Sequence, residues 1–356
     1  MSKARALKAF NLEITDRVPC QEWIDHPEFI TALTGLDPFE QPAAAVLATI
    51  GKLDLDWYGG IPQQSHRFRD GESAKTLADG NYITEWGFTG SLWEKENKFS
   101  SEEEVLSYNP LEDSSGKVRI VSRAYRDGRI RECVEGRKLA GESALITGLY
   151  YTMLFQCFIM AFGWEMFLVT AASEPRRFRR TIELFAEFSS ENTREWAALD
   201  APVFWCHDDL AISRGLVFPP GWYRENIFPH YERILEPIKR SGKKIVFVSD
   251  GNYGELVHDL FALGIDGVMV DNYVELEPIL SAYGGRKVVV GNVDTRILTQ
   301  GDGEDVRREV KRCMDLGKRY PGYFIKASGD LPQNIPLRNI QCYFECCREL
   351  GAISAG

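Results

Sequence analysis

Short apolar runs alternate with amphipathic segments through most of the chain, and polar turns separate them. From residue 144 onward the rhythm is steady, and each apolar run is followed by a segment with helical periodicity. The runs predict buried strands at 144–149, 203–205, 245–248, 267–270, 288–290 and 323–327. Strands that alternate with helices predict a parallel sheet with the helices outside. With 18–24 as a first strand, about eight strands can be counted, which favours a closed (β/α)8 TIM barrel of the α/β class.

The segment 61–140 has a different pattern. Its alternating positions are Tyr82, Thr84 and Trp86, then Val118, Ile120 and Val121. Turn signals stand at Asp79-Gly80 and Asp127-Gly128. This pattern predicts a β-rich insertion in the N-terminal third, or an extended first βα loop. Its low apolar density argues against an independent domain, so we predict one barrel domain over 1–356 with an insertion at about 61–140.

Composition narrows the classes of function. Of the 356 residues, 44% are hydrophobic and 26% are charged, which is typical of a soluble globular protein. The net charge of −10 argues against a nucleic-acid partner, because phosphate binding depends on basic patches. No apolar run reaches the length of a membrane span, which is about 18 residues, and the N-terminus lacks the apolar core of a signal peptide. Eight cysteines in such a chain are expected to be reduced thiols, which indicates the cytoplasm.

Polar residues follow almost every predicted strand. In chain order these ends are Asp25-His26, Gly148 to Tyr151, His207 to Asp209, Ser249 to Asn252, Asp271-Asn272, Gly291 to Asp294 and Ser328 to Asp330. Asp, Asn and Gly also suit turns and helix caps, so one such position alone indicates little. In a closed barrel, however, the carboxyl ends of the strands converge on one mouth, where barrels build their active sites. The coincidence of seven ends therefore predicts a functional site.

Three features of this mouth suggest its chemistry. His207, Asp208 and Asp209 place an imidazole and two carboxylates at one strand end, which suits acid–base work or metal ligation. Asp250, Asp271 and Asp294 follow successive strands, and crowded carboxylates raise one another's pKa. Aromatic side chains that can form the walls for a flat apolar substrate are Trp23, Trp57, Tyr58, Trp86, Tyr150, Tyr151 and Phe155. His26, Asn252 and Asn292 complete the predicted substrate-binding set.

Several of these stretches resemble the uroporphyrinogen decarboxylase superfamily. The similar segments are HDDLAISRGLVFPPGWYRENIFPHY (207–231), SGKKIVFVSDGN (241–252), LGIDGV (263–268), GNVDTRIL (291–298) and GDLPQNIPLRNI (329–340). The N-terminal DRVPCQEW (16–23) and the helix at 153–185 also fit. The resemblance implies a (β/α)8 barrel with its site at the carboxyl ends of the strands, which agrees with the pattern of strands and turns.

The superfamily has two main activities, and motif differences discriminate between them. Its decarboxylases carry an arginine-rich N-terminal motif that holds the tetrapyrrole carboxylates, whereas the matching stretch here is CQEWIDHPEF, without arginine. Its cobalamin-dependent methyltransferases pass a methyl group between a small substrate and a separate corrinoid protein. Thiol-methylating members bind zinc through His-x-Cys and a later Cys, but the matching positions here are Val248, Asp250 and Gly329. Soft thiolate ligands are thus absent from those positions.

The resemblance therefore favours members that take a methyl group from a small donor over members that methylate a thiol. The leading hypothesis is O-demethylation of a methoxylated aromatic compound, with the methyl group passing to cobalamin carried by a corrinoid protein. Asp250 or His207 is the expected proton donor, and Asp208, Asp209, Asn252 and Asp294 are expected to orient it. A hard-metal site that includes His207 and Asp250 stays open, as does a homodimer.

Two alternatives remain. One is a lyase acting on a small carboxylic acid, for which Arg214, Arg296 and Lys326 are candidate cationic anchors. The other is a non-catalytic binding barrel.

Overall fold

In a computed structural model the chain forms a closed ring of parallel strands surrounded by helices. The structure describes residues 2–69, 72–77, 82–93, 98–113, 116–151 and 153–353. The barrel strands, in chain order, are Gln21–Glu22 continued by Ile24–Asp25, then Trp57–Tyr58, Leu145–Ile146, Val203–His207, Lys244–Val248, Gly267–Met269, Val288–Val290 and Tyr323–Phe324. We number them as barrel strands 1 to 8.

Hydrogen bonding between strands closes the barrel. Strands 1 to 3 pair in parallel with one another, and so do strands 4 to 8. Two parallel bridges join these halves: Tyr150 pairs with Cys206, and Cys20 pairs with Ile325. The predicted (β/α)8 architecture is confirmed. Strand 2 was missed as a strand, since only the two residues Trp57–Tyr58 are paired and so short a run has no detectable period.

The helices form the outer layer. Their bounds are Ser2–Phe10, Pro27–Thr34, Pro42–Leu53, Glu102–Ser107, Arg123–Ala140, Phe155–Ser173, Pro175–Ala197, Pro220–Asn226, Phe228–Arg240, Val257–Ala262, Leu276–Tyr283, Thr295–Gln300, Gly303–Gly317 and Leu337–Leu350. Four of them begin with proline, which suits the first turn because its missing N–H has no helical partner there. Helix Phe228–Arg240 shows the usual amphipathic spacing and buries Tyr231, Ile234, Leu235 and Ile238.

The barrel interior is filled by alternate residues of the strands. A buried cluster contains Trp57, Leu145, Val203, Trp205 and Phe324, which lie on four of the strands and share the inward face. The first helix, Ser2–Phe10, adds Ala6, Ala9 and Phe10 to this cluster. The helix therefore covers the amino-terminal end of the barrel, and the carboxyl ends of the strands form the mouth at the opposite end.

The predicted insertion is only partly β-structure. Strands Ala74–Thr76, Tyr82–Thr84 and Ser91–Trp93 form a small antiparallel sheet, as expected for its first half. The second half was predicted wrongly: residues 119–121 form a 3₁₀ turn, and Arg123–Ala140 is a helix packed beside strand 3. The Asp127-Gly128 signal lies inside that helix, while the Asp79-Gly80 signal lies outside the described residues.

The helix Arg123–Ala140 can be explained by its cap and its packing. The Ser122 hydroxyl accepts a hydrogen bond from the backbone N–H of Tyr125, which starts the helix. Gly136 then faces the barrel, where a Cβ would lie 3.3 Å from the Ile61 nitrogen. This glycine lets the helix approach closely. The insertion therefore follows strand 2, and it is shorter than predicted because this helix belongs to the barrel.

One helix among the described residues, Phe155–Ser173, is long and apolar enough to cross a membrane by length and composition alone. Half of its most apolar window is buried inside the structure. Its residues Phe155, Phe158 and Phe167 are fully buried against neighbouring aromatic rings. This packing is typical of a helix that contributes to a protein core.

Candidate functional site

The mouth of the barrel collects side chains from four strand ends. His207 ends strand 4, Asp250 follows strand 5, Asp271 follows strand 6 and Asp330 follows strand 8. Inward-facing positions alternate along each strand, so His207 stands two residues beyond the inward-facing Trp205. The convergence predicted from the strand ends is therefore found in part.

The centre of the mouth is a cluster of one imidazole and two carboxylates. His207 Nε2 lies 2.7 Å from Asp209 Oδ1, and the backbone N–H of Asp250 donates to the same oxygen at 2.8 Å. His207 is buried, Asp209 is half-buried and Asp250 is exposed. Asp209 thus fixes the ring of His207 and the turn that carries Asp250. We call these three residues the mouth cluster.

The charges of the mouth cluster follow from this arrangement. Burial alone would lower the pKa of His207, but Asp209, with smaller contributions from Asp250 and Asp208, outweighs it and raises that pKa to about 9. Partial desolvation raises the pKa of Asp250 to about 6; Asp209, Asp271 and Asp330 act in the same direction, while His207 opposes them. At pH 7 the cluster therefore holds an imidazolium and mainly ionised carboxylates.

The mouth cluster also has the composition of a metal site. One ligand atom from each of His207, Asp209 and Asp250 lies within 4.8 Å of the other two. A nitrogen and carboxylate oxygens suit a hard or borderline divalent ion. The direct hydrogen bond between His207 and Asp209 uses two of these atoms already, so a metal would have to replace it.

Aromatic rings form the walls of the mouth. The Tyr151 ring lies 4.4 Å from the His207 ring, measured between centroids. Burial and the nearby Asp250 and Asp209 raise the pKa of the Tyr151 hydroxyl, which stays protonated. Trp23 is half-buried and its ring lies against the backbone of Gly59 beside Trp205. Tyr151 therefore borders the mouth cluster and Trp23 lies beside Trp205, and their part in substrate binding stays a prediction.

A second ring of polar groups supports the Asp250 turn. Asp271 Oδ2 accepts a hydrogen bond from the Gly251 N–H at 3.0 Å, and Asn252 Oδ1 accepts from Gly254. Asp294 caps the helix Thr295–Gln300 and binds Arg296 through both carboxylate oxygens. Although burial acts in the opposite direction, Arg296 holds the pKa of Asp294 below its usual value. Asp294 is thus an ionised cap, and the carboxylates that raise the pKa of Asp250 are Asp209, Asp271 and Asp330 rather than the predicted Asp294.

Asp208 does not face the mouth, which contradicts its predicted part in catalysis. Its buried carboxylate accepts hydrogen bonds from the backbone N–H groups of Leu154, Phe155 and Gln156, and from the Tyr231 hydroxyl. These N–H groups begin the helix Phe155–Ser173 and would otherwise lack partners. Because Asp208 follows the inward-facing His207, it points to the outside of the barrel, towards the helices.

Four further predicted substrate-binding residues are structural instead. His26 is buried and caps the helix Pro27–Thr34 through Nδ1, while its Nε2 lies 2.8 Å from the Ile335 carbonyl oxygen. Trp57 fills the barrel interior and donates to the Thr147 hydroxyl. Tyr150 faces outward against Trp196 and Phe204. The Asn292 amide donates to the carbonyl oxygens of Asp271 and Val274.

Asp330 was predicted only as a polar strand end and was not among the predicted site residues. The half-buried Asp330 interacts with the Trp86 side chain, and its pKa is raised by burial although Lys326, Trp86 and His207 oppose that change. Trp86 belongs to the insertion, so the insertion reaches over the mouth. Counting by twos from the inward-facing Phe324 gives Lys326, Ser328 and Asp330, and this alternation is the signal that could have identified Asp330.

Two of the three cations predicted as anchors for an acid, Lys326 and Arg296, are already bound by protein oxygens. Lys326 is buried and its ammonium donates to the carbonyl oxygens of Ala327 and Gly329, with Glu22 Oε2 at 3.9 Å. Arg296 is held by Asp294. The open part of the mouth is therefore dominated by carboxylates and aromatic rings.

Comparison with known proteins agrees with this architecture. The model of the uroporphyrinogen decarboxylase (URO-D) family matches residues 97–350. The chain is 27% identical over 179 residues to uroporphyrinogen decarboxylase of Thermus thermophilus, a match that covers 50% of each protein. It is 34% identical over 105 residues to the Xanthomonas campestris enzyme of that name, covering 28% of this chain and 29% of that protein. The matches thus span about half the length of these relatives or less.

Among solved structures, the chain is similar to a methyltransferase from Methanosarcina mazei. The TM-score is 0.66, with 16% sequence identity, and the superposition covers 98% of both chains. At this level of identity the likeness establishes the shared fold over the whole length.

Proposed function

This chain belongs to the uroporphyrinogen decarboxylase family, and from that premise we propose that it is a corrinoid-dependent methyltransferase of the O-demethylase type. Its substrates would be a methoxylated aromatic compound and a separate corrinoid protein whose reduced cobalt accepts the methyl group. The observation that carries the proposal is the mouth cluster, in which an imidazolium is held beside aromatic walls.

The chemistry of an ether explains why a proton donor is needed. When the methyl–oxygen bond breaks, both of its electrons remain on the oxygen, and an unprotonated phenoxide or alkoxide is a poor leaving group. Transfer of the His207 proton to that oxygen releases a neutral alcohol or phenol. Asp209 keeps His207 protonated and oriented, because its carboxylate accepts the Nε2 hydrogen bond. His207 rather than Asp250 is the proposed donor, since at pH 7 it carries the proton.

A bound metal would perform the same task by another route. An ion held by His207, Asp209 and Asp250 would act as a Lewis acid on the ether oxygen. Elemental analysis of the purified protein distinguishes the two forms of the proposal: one equivalent of a divalent metal supports the Lewis-acid form, and its absence supports the proton-donor form.

The lyase alternative is less favoured by the geometry. A small carboxylate would need a free cation in the mouth, but Lys326 and Arg296 already bind protein oxygens, and Arg214 lies exposed on the hairpin beyond strand 4. Carbon dioxide release from candidate acids is the assay that tests it. A non-catalytic barrel would show neither activity.

The test of the proposed function is methyl transfer to cob(I)alamin or a reduced corrinoid protein from a panel of methoxylated aromatics. The absorbance change on methylation of the corrinoid is the readout. His207→Gln should lower the rate by about 10² to 10⁴, the usual contribution of a general acid. His258→Gln is the matched control, because His258 is exposed and binds Tyr283 far from the mouth cluster. Absence of methyl transfer from every donor would refute the proposal.

A further inference from the structure

Two cysteines of the last helix, Leu337–Leu350, lie side by side in the outer layer of the barrel. Their Sγ atoms, on Cys342 and Cys346, are 3.8 Å apart. Residues four apart lie on one face of an α-helix, so the helix itself sets this approach. All eight cysteines lie among the described residues as free thiols, and Cys342 is half-buried while the others are buried. We call Cys342 and Cys346 the dithiol pair.

The dithiol pair lies where the last helix meets the helix Gly303–Gly317. The Cys342 thiol donates a hydrogen bond to the Gly303 carbonyl oxygen, with 3.5 Å between sulfur and oxygen. Gly303 is exposed and Cys342 is half-buried, whereas Cys346 is only 2% exposed. A small ion can therefore reach the pair from the Cys342 side, and the mouth cluster is not involved.

A guanidinium stands behind the buried thiol. Arg307 Nη1 donates to Cys346 Sγ at 3.8 Å, and the same guanidinium binds both carboxylate oxygens of Glu349. Burial, with a further contribution from Cys342, raises the pKa of Cys346 to about 12, although Arg307 opposes that change. Cys346 is thus protonated at pH 7, and a protonated thiol reacts slowly with oxidants.

The spacing of the pair favours a bridging ion over a disulfide. A disulfide requires Cβ atoms about 3.5–4.5 Å apart, but residues four apart on a helix hold them about 5–6 Å apart. Oxidation would therefore distort the helix. A tetrahedral ion bound about 2.3 Å from each thiolate instead places the two sulfurs about 3.8 Å apart. The observed separation of 3.8 Å fits the ion without moving the helix.

We propose that the dithiol pair binds a soft divalent metal ion of the class of Zn²⁺ and Cd²⁺. Thiolate ligands select such ions over Mg²⁺ and Ca²⁺. Binding forms two metal–sulfur bonds and releases the thiol protons to the solvent, and no electron is transferred. This inference does not depend on the proposed function.

The remaining positions around the ion are open. Among the described residues, only the mouth cluster collects three ligand atoms within 4.8 Å, so the two thiols are the preformed part of the dithiol site. Glu345 is exposed and lies three residues after Cys342, on the same face of the helix. Its carboxylate can turn towards the sulfurs as a third ligand, and water completes the tetrahedron. The site therefore differs from closed structural zinc sites, which have four protein ligands.

Titration of the purified protein with Cd²⁺ tests the proposal, because a Cd²⁺–thiolate bond has its own ultraviolet charge-transfer band. The band should appear and saturate at one equivalent. Cys342→Ser and Cys346→Ser should each lose this saturable band. Cys347→Ser is the matched control and should retain it, because Cys347 is the neighbouring thiol but is buried and interacts with Cys20. Cd²⁺ held by the mouth cluster would give no such band, since those three residues contain no sulfur.

Three results would overturn the inference: no band in the unchanged protein, a band that persists in both Cys342→Ser and Cys346→Ser, or loss of the band in Cys347→Ser. Excess Mg²⁺ should not displace the Cd²⁺, and displacement would contradict ligation by thiolates. Circular dichroism of each variant verifies that the fold persists. None of these measurements involves methyl transfer, so failure of the dithiol site and failure of the proposed function are distinguishable.

Discussion

At the scale of single residues, neighbouring carboxylates on one loop have opposite tasks. Asp209 serves the mouth cluster, while Asp208 holds the start of the helix Phe155–Ser173. We predict that Asp208→Asn lowers the free energy of unfolding by about 2–4 kcal/mol, because an amide NH2 then faces backbone N–H donors in a buried site. Urea denaturation at pH 7 measures the loss. Tyr231→Phe removes one donor only and should cost about 1 kcal/mol; a fully stable Asp208→Asn would contradict the assigned position.

The pKa of His207 leads to a second prediction, on pH dependence. With that pKa at about 9, the rate of demethylation should be level through pH 7–8 and fall as the pH rises through about 9. Removing the carboxylate in Asp209→Asn should move this alkaline limb to lower pH. The folded-state pKa is raised above the unfolded value of about 6.5, so the imidazolium's stabilising contribution is complete below pH 6.5 and lost through pH 9.

Rate profiles and thermal midpoints measured over the same pH range test both halves of this prediction. If the rate falls as the pH rises through about 6 instead of 9, Asp250 is the proton donor, since its pKa is about 6. Asp294→Asn is a useful control, because Asp294 binds Arg296 and caps a helix rather than contacting His207. That variant should leave the position of the limb unchanged.

At the scale of elements, the site depends on the close fit of the hairpin 211–216 on the Asp250 turn. Gly251 has φ of 77°, and a Cβ there would lie 2.6 Å from the Ile212 carbonyl. We predict that Gly251→Ala lowers the free energy of unfolding by about 2–4 kcal/mol, through the left-handed backbone and the clash. Gly285→Ala, where a Cβ meets no atom within 4 Å, should change stability little. Urea denaturation of both variants compares them, and equal stabilities would refute the account.

The same scale shows which features the sequence could predict. The later strands were predictable because each apolar run is buried on both faces and stands between amphipathic helices. Strand 2 was not, since the two paired residues of Trp57–Tyr58 carry no period and their place depends on neighbours 21–22 and 145–146. The helix Arg123–Ala140 was not predicted because it contains two glycines. Gly128 was interpreted as a turn signal, and Gly136 is required by the close packing of the helix on the barrel.

For the site, the ends of strands 4 and 5 were located correctly, but the direction of each side chain was not always deduced. Alternation from the inward-facing Trp205 separates His207 from Asp208. Helix-capping residues are harder to recognise from sequence. His26 is distinguished from a substrate-binding histidine only by its contact with Ile335, which is distant in the sequence. The contribution of Trp86 depends on how an insertion folds back over the barrel, which no local pattern specifies.

At the scale of the whole molecule, charge selects among substrates. The protein carries a net charge of −10, and Asp209, Asp250, Asp271 and Asp330 concentrate negative charge at the mouth. The nearby cations Lys326 and Arg296 are bound to protein oxygens. A tetrapyrrole with several carboxylates would therefore meet repulsion without a cationic clamp. The neutral methoxylated rings proposed as substrates would avoid this repulsion and would contact the aromatic walls.

This charge distribution yields a prediction about salt. Methoxybenzene should bind about tenfold more tightly than 3-methoxybenzoate at low ionic strength, because only the second carries a charge that the mouth repels. The difference between the two affinities should become smaller as salt screens the repulsion. The Debye length falls from about 10 Å at 0.1 M to about 3 Å at 1 M salt. Asp330→Asn should make the difference smaller as well, whereas Asp315→Asn, on an exposed helix beside Lys311, should not. Calorimetric titration supplies the affinities. Tighter binding of the benzoate, weakened by salt, would reveal a free cation in the mouth and favour the lyase over the methyltransferase.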